Sequence, residues 1–181
     1  YPGAYTRFEV FSGRTHPYTY AIYPYSTLGK LFFRQRDFRD GITKSWVCSA
    51  SVVANGAIMT AAQCLHAGRF TSSGWSTNAV FVPAYKDGYA PLGQWTPRFL
   101  RVFTAWYSGR NFARDVGGAL MNRDIQGRTV SQVTGWLGIA WNWSYNQHYN
   151  AFGYPVALPF NGLRLQTCEG SLAYYDTAYV P

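Results

Sequence analysis

The sequence is poor in charged residues and in long apolar runs. Charged residues make up 13% of the 181 residues, about half of the usual ~25%. No run of about 18 apolar residues occurs, so no membrane-spanning helix is expected. No segment of a dozen residues carries the periodicity of an amphipathic helix, and no internal repeat of fixed period is visible. A helical bundle, a solenoid and a membrane-spanning chain are therefore not expected.

The sequence also lacks the short motifs of metal and nucleotide sites. His16, His66 and His148 are far apart along the chain, and no CxxC or HExxH pattern occurs. No GxGxxG or Walker motif is present, so we expect neither a metal nor a cofactor. The eight acidic residues are enough for a pair of glycosidase carboxylates, but nothing singles out such a pair.

Aromatic residues and turn formers are abundant instead. Aromatics reach 19%, beside 18 Gly and 9 Pro; the former favour strands and the latter interrupt them at turns. Short apolar segments recur between turn residues from position 28 onward, which is typical of an all-β sandwich or barrel. The predicted strand segments are 31–34, 46–53, 57–61, 79–84, 99–106, 116–121, 133–140, 149–154 and 163–168.

The chain is basic, with 16 Lys and Arg against 8 Asp and Glu and a formal net charge of +8. Such a charge can attract nucleic acid, anionic glycans or acidic membranes. The basic residues are scattered, however, and the densest stretch, Arg34, Arg36 and Arg39, is interrupted by Asp37 and Asp40. We therefore expect a solvated basic surface and no nucleic-acid partner.

The most specific pattern lies between residues 46 and 68, which read WVCSASVVANGAIMTAAQCLHAG. Cys48 is followed sixteen residues later by Cys64, which ends the phrase Thr-Ala-Ala-Gln-Cys at 60–64. A second phrase, Asp-Val-Gly-Gly-Ala, begins at Asp115. Three weaker phrases are GKLFF at 29–33, VFVPAYKDG at 80–88 and FGYP at 152–155.

Together these phrases resemble the trypsin/chymotrypsin-like serine peptidases, in particular a secreted branch found in fungi and actinobacteria, over roughly residues 28–170. The resemblance implies an all-β fold of two antiparallel six-stranded β-barrels, the second incomplete in this chain. It divides the chain into an extended N-terminal arm at 1–27, a first barrel at 28–126 and a partial second barrel at 127–181. It also implies a secreted, extracellular protein.

The resemblance further implies that Cys48 and Cys64 form a disulfide. A closed loop of about 15 residues contributes on the order of 3 kcal/mol in the chain-entropy model. In this family the residue before the second cysteine is the catalytic histidine, and Asp115 looks like the catalytic aspartate.

The catalytic histidine position holds Gln63. A serine nucleophile needs a base to take its proton, and an amide cannot hold a proton near neutral pH. Removing such a base costs on the order of a million-fold in turnover. His66 is not expected to replace it, because a shift of three residues points the ring in a different direction. Asp115 is then vestigial, and we expect it to bond backbone amides or a neighbouring arginine such as Arg114.

The family's nucleophile phrase, Gly-x-Ser-Gly-Gly-Pro, does not occur in the 181 residues; Ser12, Ser73 and Ser108 precede glycine in other contexts. The cysteine that Cys168 resembles pairs with one just before that phrase. The chain is then a fragment, one half of a clipped molecule with an inter-chain bond at Cys168, or a shortened pseudoenzyme with a free thiol. Unpaired barrel edges favour the first two, and with them a second polypeptide that completes the second barrel.

The sequence thus predicts a catalytically inactive protein on a protease scaffold, a pseudoprotease with a peptide, protein or glycan ligand. One alternative is a serine endopeptidase whose nucleophile lies on a separate or lost segment. A second is an extracellular glycan-binding protein that uses Trp141, Trp143, Tyr145 and Tyr149, although packing in core and loops is the favoured interpretation of these aromatics. Asn142 begins an Asn-Trp-Ser acceptor pattern for N-glycosylation, with an unmodified loop as the other interpretation.

Overall fold

The computed structural model describes residues 6–37, 39–69, 71–144 and 146–171. The strands are β1 (Thr6–Glu9), β2 (Leu28–Arg36), β3 (Thr43–Ala54), β4 (Ala57–Thr60), β5 (Thr77–Pro83), β6 (Pro97–Val102), β7 (Gly117–Met121), β8 (His148–Gly153) and β9 (Gln166–Ser171). The α-helices of this part of the chain are α1 (Thr104–Gly109) and α2 (Val130–Thr134). Strands dominate, so the all-β prediction is confirmed.

Six strands form one antiparallel sheet in the order β5-β2-β3-β4-β7-β6. The turn between β3 and β4 is Asn55-Gly56, and both residues have positive φ angles, 45° and 79°. Asn-Gly is the favoured pair for such two-residue hairpins, because both positions need a left-handed backbone. The sheet curls around a core of buried apolar side chains, which include Leu31, Phe33, Val52, Ile58, Leu65, Phe81 and Trp95.

A second, three-stranded antiparallel sheet has the order β1-β9-β8. A second core lies between this sheet and the first, and includes Val10, Tyr20, Leu28, Val82, Tyr154 and Leu165. The N-terminal segment, which the sequence predicts to be an extended arm, supplies β1 and two 3₁₀ turns at Pro17–Tyr20 and Tyr25–Thr27. The boundaries 1–27, 28–126 and 127–181 stay a prediction.

Three segments differ from the sequence-based expectation. The strand predicted at 163–168 begins only at Gln166 and continues to Ser171 as β9. The predicted strand at 133–140 is absent, and α2 occupies its beginning. Thr129 and Gln132 form a reciprocal capping box at the start of α2, which satisfies backbone N–H groups that a strand would leave to a neighbour. The predicted strand at 99–106 ends at Val102, and α1 follows. No helix among the described residues is long and apolar enough to cross a membrane.

Candidate functional site

The pairing of β4 with β7 brings two distant parts of the chain to one place. Thr60, the last residue of β4, lies opposite Gly117, the first residue of β7. Because the strands are antiparallel, the chain that leaves β4 runs beside the chain that leads into β7. Gln63 follows β4 in a short 3₁₀ turn, and Asp115 precedes β7. The structure therefore brings together the two residues that the sequence singles out.

Asp115 and Gln63 are in direct contact. The main-chain N–H of Gln63 donates a hydrogen bond of 2.8 Å to Oδ1 of Asp115. Asp115 is half-buried, whereas Gln63 is exposed. The prediction that Asp115 bonds a backbone amide is thus met by the amide of residue 63 itself.

The other side of the Gln63 peptide group is also held. Nε2 of Gln35, on β2, donates to the carbonyl oxygen of Gln63 at 3.0 Å and to Oγ of Ser76 at 2.9 Å. Ser76 Oγ in turn donates to the carbonyl oxygen of Cys64 at 2.9 Å. The main chain at residue 63 is therefore bonded on both sides, which fixes the direction in which its side chain leaves the turn.

A glycine permits the close approach of β7 to this turn. A Cβ atom on Gly117 would lie 2.9 Å from Cδ1 of Leu65, 3.0 Å from the carbonyl oxygen of Arg101 and 3.2 Å from Cα of Ala62. Real Cβ atoms almost never approach so closely, so any larger residue here would push β7 away from the turn. Gly117 thereby positions Asp115 beside Gln63.

The predicted disulfide is present. Cys48, on β3, is bonded to Cys64, the residue after Gln63, with a Cα–Cα distance of 6.2 Å. It fastens the 3₁₀ turn to the middle of the six-stranded sheet. Cys168 is a free, half-buried cysteine on β9.

His66 is not accessible at the site, so it cannot act there as a base. Its ring is fully buried and packs against Trp75 at 4.8 Å and Tyr107 at 4.6 Å between ring centroids. Its Nδ1 accepts a hydrogen bond from the N–H of Gly68 at 3.0 Å. The main chain of His66 is also bonded, since Nε1 of Trp106 donates to its carbonyl oxygen at 2.8 Å. This histidine supports the aromatic core behind the turn.

A groove of about 350 Å³ opens beside Gln63. Its lining comes from β2, β3, the segment that follows β2, the 3₁₀ turn that holds Gln63, and the C-terminal end of α1. Its wall combines apolar and charged side chains, namely Phe33, Gln35, Arg36, Asp37, Arg39, Trp46, Val47, Cys48, Gln63, Ala67 and Arg110. Among the described residues no group of three or more His, Cys, Asp or Glu side chains is placed to hold a metal ion.

Comparison with solved structures places this arrangement in a family. The chain is 34% identical to the protease Anisep from Arthrobacter nicotinovorans, with a TM-score of 0.75, and the match covers 86% of this chain and 68% of that one. The chain belongs to the trypsin-like serine protease family. The thermostable serine protease AL20 from an extremophilic microorganism is also 34% identical, with a TM-score of 0.72 over 84% of this chain and 68% of that one.

A third solved structure supports the fold alone. A Glu endopeptidase is 15% identical, with a TM-score of 0.68 over 94% of this chain and 70% of that one. The trypsin-like all-β fold that the sequence phrases predict is therefore confirmed. No protein-family model matches the chain, and no curated protein matches it either.

The other predicted site residues lie elsewhere. Trp141 and Trp143 are exposed at 75% and 67%, so the favoured expectation that they pack in core and loops is wrong for these two side chains. Tyr145 lies outside the described residues. Asn142 is exposed, in a left-handed backbone conformation.

Sequence reasoning missed three contributors to the site. Gln35 carries no motif, and it comes near the turn because β2 pairs with β5, which places Gln35 beside Ser76. Gly117 belongs to a phrase that the sequence does mark, although its packing role depends on the fold. Arg110 follows α1 with a positive φ of 51° and is one of many scattered arginines in the sequence.

Proposed function

We propose that this protein is a non-catalytic member of its family, a pseudoprotease that binds polypeptides without hydrolysing them. The observation that carries the proposal is Gln63 beside Asp115. Gln63 stands where the sequence resemblance puts the general base, and its amide can donate and accept hydrogen bonds but cannot take a proton from a nucleophile.

None of the three histidines, all of which lie among the described residues, lines the groove beside Gln63. His66, the nearest histidine in sequence, is fully buried between aromatic rings. His16 caps a 3₁₀ turn in the N-terminal segment, and His148 lies on β8 of the other sheet. A general base must come within hydrogen-bond reach of the proton that it removes, so the loss of the imidazole at position 63 is not compensated by these residues.

The retained backbone geometry supports a binding role. The disulfide, the Asp115 hydrogen bond and the Gln35 hydrogen bond all hold the chain at residue 63. A scaffold that keeps its groove in shape can still bind a chain, because shape and hydrogen bonding do not depend on proton transfer.

A serine-directed fluorophosphonate probe and a broad peptide library test this proposal. The protein, prepared with the complete chain that its source produces, is expected to show no labelling and no cleavage, and to bind peptides in calorimetry. Labelling or cleavage that a serine-protease inhibitor abolishes would show an active enzyme and end the proposal.

The retained carboxylate favours a serine endopeptidase as the second candidate function. Asp115 still reaches residue 63, so a nucleophile supplied by a further segment would find part of the machinery in place. This candidate requires proton transfer without an imidazole. Labelling of a co-purifying chain by the same probe would support it.

An exposed apolar face supports the proposal that a further polypeptide binds this protein. A groove of about 730 Å³ runs along β4, β7 and β6, and among its lining side chains Phe99, Phe103 and Ile139 are more than half exposed. The described part of the second sheet has three strands, and its outer strands offer backbone groups for pairing. We propose that a polypeptide that contributes a β-strand occupies this apolar groove and pairs with an outer strand of the second sheet.

A disulfide at Cys168 could link the protein to this partner. Comparison of the masses under reducing and non-reducing conditions tests for such a link.

Glycan binding is a third candidate, favoured by the exposure of Trp141 and Trp143. Indole faces at the surface stack on sugar rings, and a basic chain suits anionic sugars. A Trp141→Ala variant should lose binding in a glycan array if this candidate holds.

We also propose that the protein is secreted. The Cys48–Cys64 disulfide supports this, because such bonds persist in oxidising compartments and are rare in the cytosol.

A further inference from the structure

Arginine side chains supply the positive charge of the groove beside Gln63. Arg36, Arg39 and Arg110 line it, and Asp37 is the single acidic side chain among its lining residues. Asp37 is already engaged, since Lys44 Nζ donates to its Oδ2 at 2.8 Å and the N–H of Arg39 donates to its Oδ1 at 2.9 Å. The lining side chains therefore carry a net positive charge, three arginines against one aspartate.

Arg110 is held in position by its neighbours. Its guanidinium carbon lies 5.7 Å from the ring centroid of Trp106 and 5.5 Å from that of Phe112, within cation–π range. Its aliphatic stem crosses Gly68, where a Cβ atom would lie only 2.2 Å from Cγ of Arg110. The absence of a side chain at Gly68 leaves the space that this arginine fills.

Two other arginines repel the positive charge of Arg110. Burial and the like charges of Arg69 and Arg39 lower the pKa of Arg110, while Asp115 acts in the opposite direction. An arginine stays charged under these conditions, so the repulsion persists. An anion bound in the groove that Arg39 and Arg110 line would offset their like charges, and a preorganised arginine loses little side-chain entropy on binding.

We propose that the groove beside Gln63 binds a carboxylate-bearing peptide segment through Arg39 and Arg110. This inference rests on the proposed function, because it names the ligand class of the same polypeptide-binding site. Guanidinium groups pair with carboxylates through two parallel hydrogen bonds. Trp46, which is 41% exposed in the same wall, provides apolar contact for the neighbouring side chains of the peptide.

Calorimetric titration with matched peptides tests the proposal. An eight-residue peptide with three central glutamates is compared with the same peptide carrying three glutamines or three lysines. We expect the glutamate peptide to bind about fivefold or more tightly than the glutamine peptide, and the lysine peptide to bind weakest. The advantage should shrink as ionic strength rises from about 20 mM to about 300 mM, because the shorter Debye length screens exposed charges.

Single substitutions test whether Arg39 and Arg110 cause the preference for glutamate. Arg39→Gln and Arg110→Gln should each remove most of the preference for glutamate. Arg98→Gln, on β6 and outside the groove lining, makes the same change in net charge and should leave the preference intact. Arg39→Glu should reverse the order of the glutamate and lysine peptides, which loss of folding would not do.

The proposal would be overturned if the unchanged protein bound the glutamate and glutamine peptides with equal affinity, or if it bound neither peptide. It would also be overturned if Arg98→Gln lost as much of the glutamate preference as Arg39→Gln. The same samples are assayed for peptide cleavage. Cleavage would overturn the proposed function and leave the glutamate preference as a property of an active enzyme, so the two failures are distinguishable.

Discussion

Oδ1 of Asp115 accepts a hydrogen bond of 2.8 Å from the main-chain N–H of Gln63, across 52 residues of sequence. The contact uses the backbone of residue 63, so it does not depend on the side chain at that position. The Asp115 carboxylate thus ties the start of β7 to the turn after β4.

Removal of the Asp115 carboxylate should destabilise the protein. In Asp115→Ala the N–H of Gln63 loses its acceptor, which costs about 1 kcal/mol for a partly exposed group. Asp115→Asn keeps an oxygen that can accept and should cost less. Urea denaturation measures both. Equal stability of Asp115→Ala and the unchanged protein would show that the hydrogen bond contributes nothing.

Gly117→Ala should destabilise more strongly, by about 1–3 kcal/mol, because the added methyl group meets Leu65 and the carbonyl of Arg101 within 3.0 Å. Faster hydrogen exchange at the Gln63 amide should accompany the loss, as β7 moves away from the turn. Gly138→Ala is the matched control, since nothing lies within 4 Å of a Cβ there. Unchanged exchange at Gln63 would contradict the positioning role of Gly117.

The double variant Cys48→Ala/Cys64→Ala should lose on the order of 3 kcal/mol of unfolding free energy, because the unfolded chain regains the freedom of a loop closed over 16 residues. Cys168→Ala should change stability by less than about 1 kcal/mol, since it breaks no bond within the described chain. Chemical denaturation under non-reducing conditions compares them. A double variant as stable as Cys168→Ala would contradict the prediction.

Tyr20 should make stability sensitive to alkaline pH. Burial, assisted by the charge of Glu9, raises the pKa of Tyr20 to about 12. The folded state therefore favours the neutral phenol, and its contribution is complete below the unfolded pKa of about 10 and is lost as pH rises toward 12. Between about pH 8 and pH 11 the unchanged protein should lose about 1 kcal/mol more than Tyr20→Phe.

Urea midpoints at the two pH values check this. Burial also raises the pKa of Tyr154, so the Tyr20→Phe variant should retain part of the alkaline loss. Identical losses in both proteins would contradict the assignment to Tyr20.

The sequence predicts the strand-rich fold because turn residues and apolar segments depend on local chemistry, whereas the central pair of the site is predicted by the family resemblance of the phrases around Gln63 and Asp115. Apolar segments between turn residues mark β2 to β5. The phrases around Gln63 and Asp115 sit at the ends of two strands, so strand pairing alone is enough to join them.

The remaining features depend on tertiary contacts. The apolar pattern of segment 133–140 suits a strand, but the capping box formed by Thr129 and Gln132 starts a helix there. The pairing of β1 with β9 joins residues near the two ends of the described chain, and no local pattern signals it. The arginine groove likewise needs the fold, because Arg39 and Arg110 are 71 positions apart in sequence.

The kcat/KM for peptide hydrolysis, measured on the complete chain and on its Gln63→His variant, tests the central claim most directly. We predict no turnover above background for the unchanged protein, because Gln63 cannot accept the nucleophile's proton. Turnover by the unchanged protein that equals or exceeds that of Gln63→His, together with labelling by the serine-directed probe, would contradict the account.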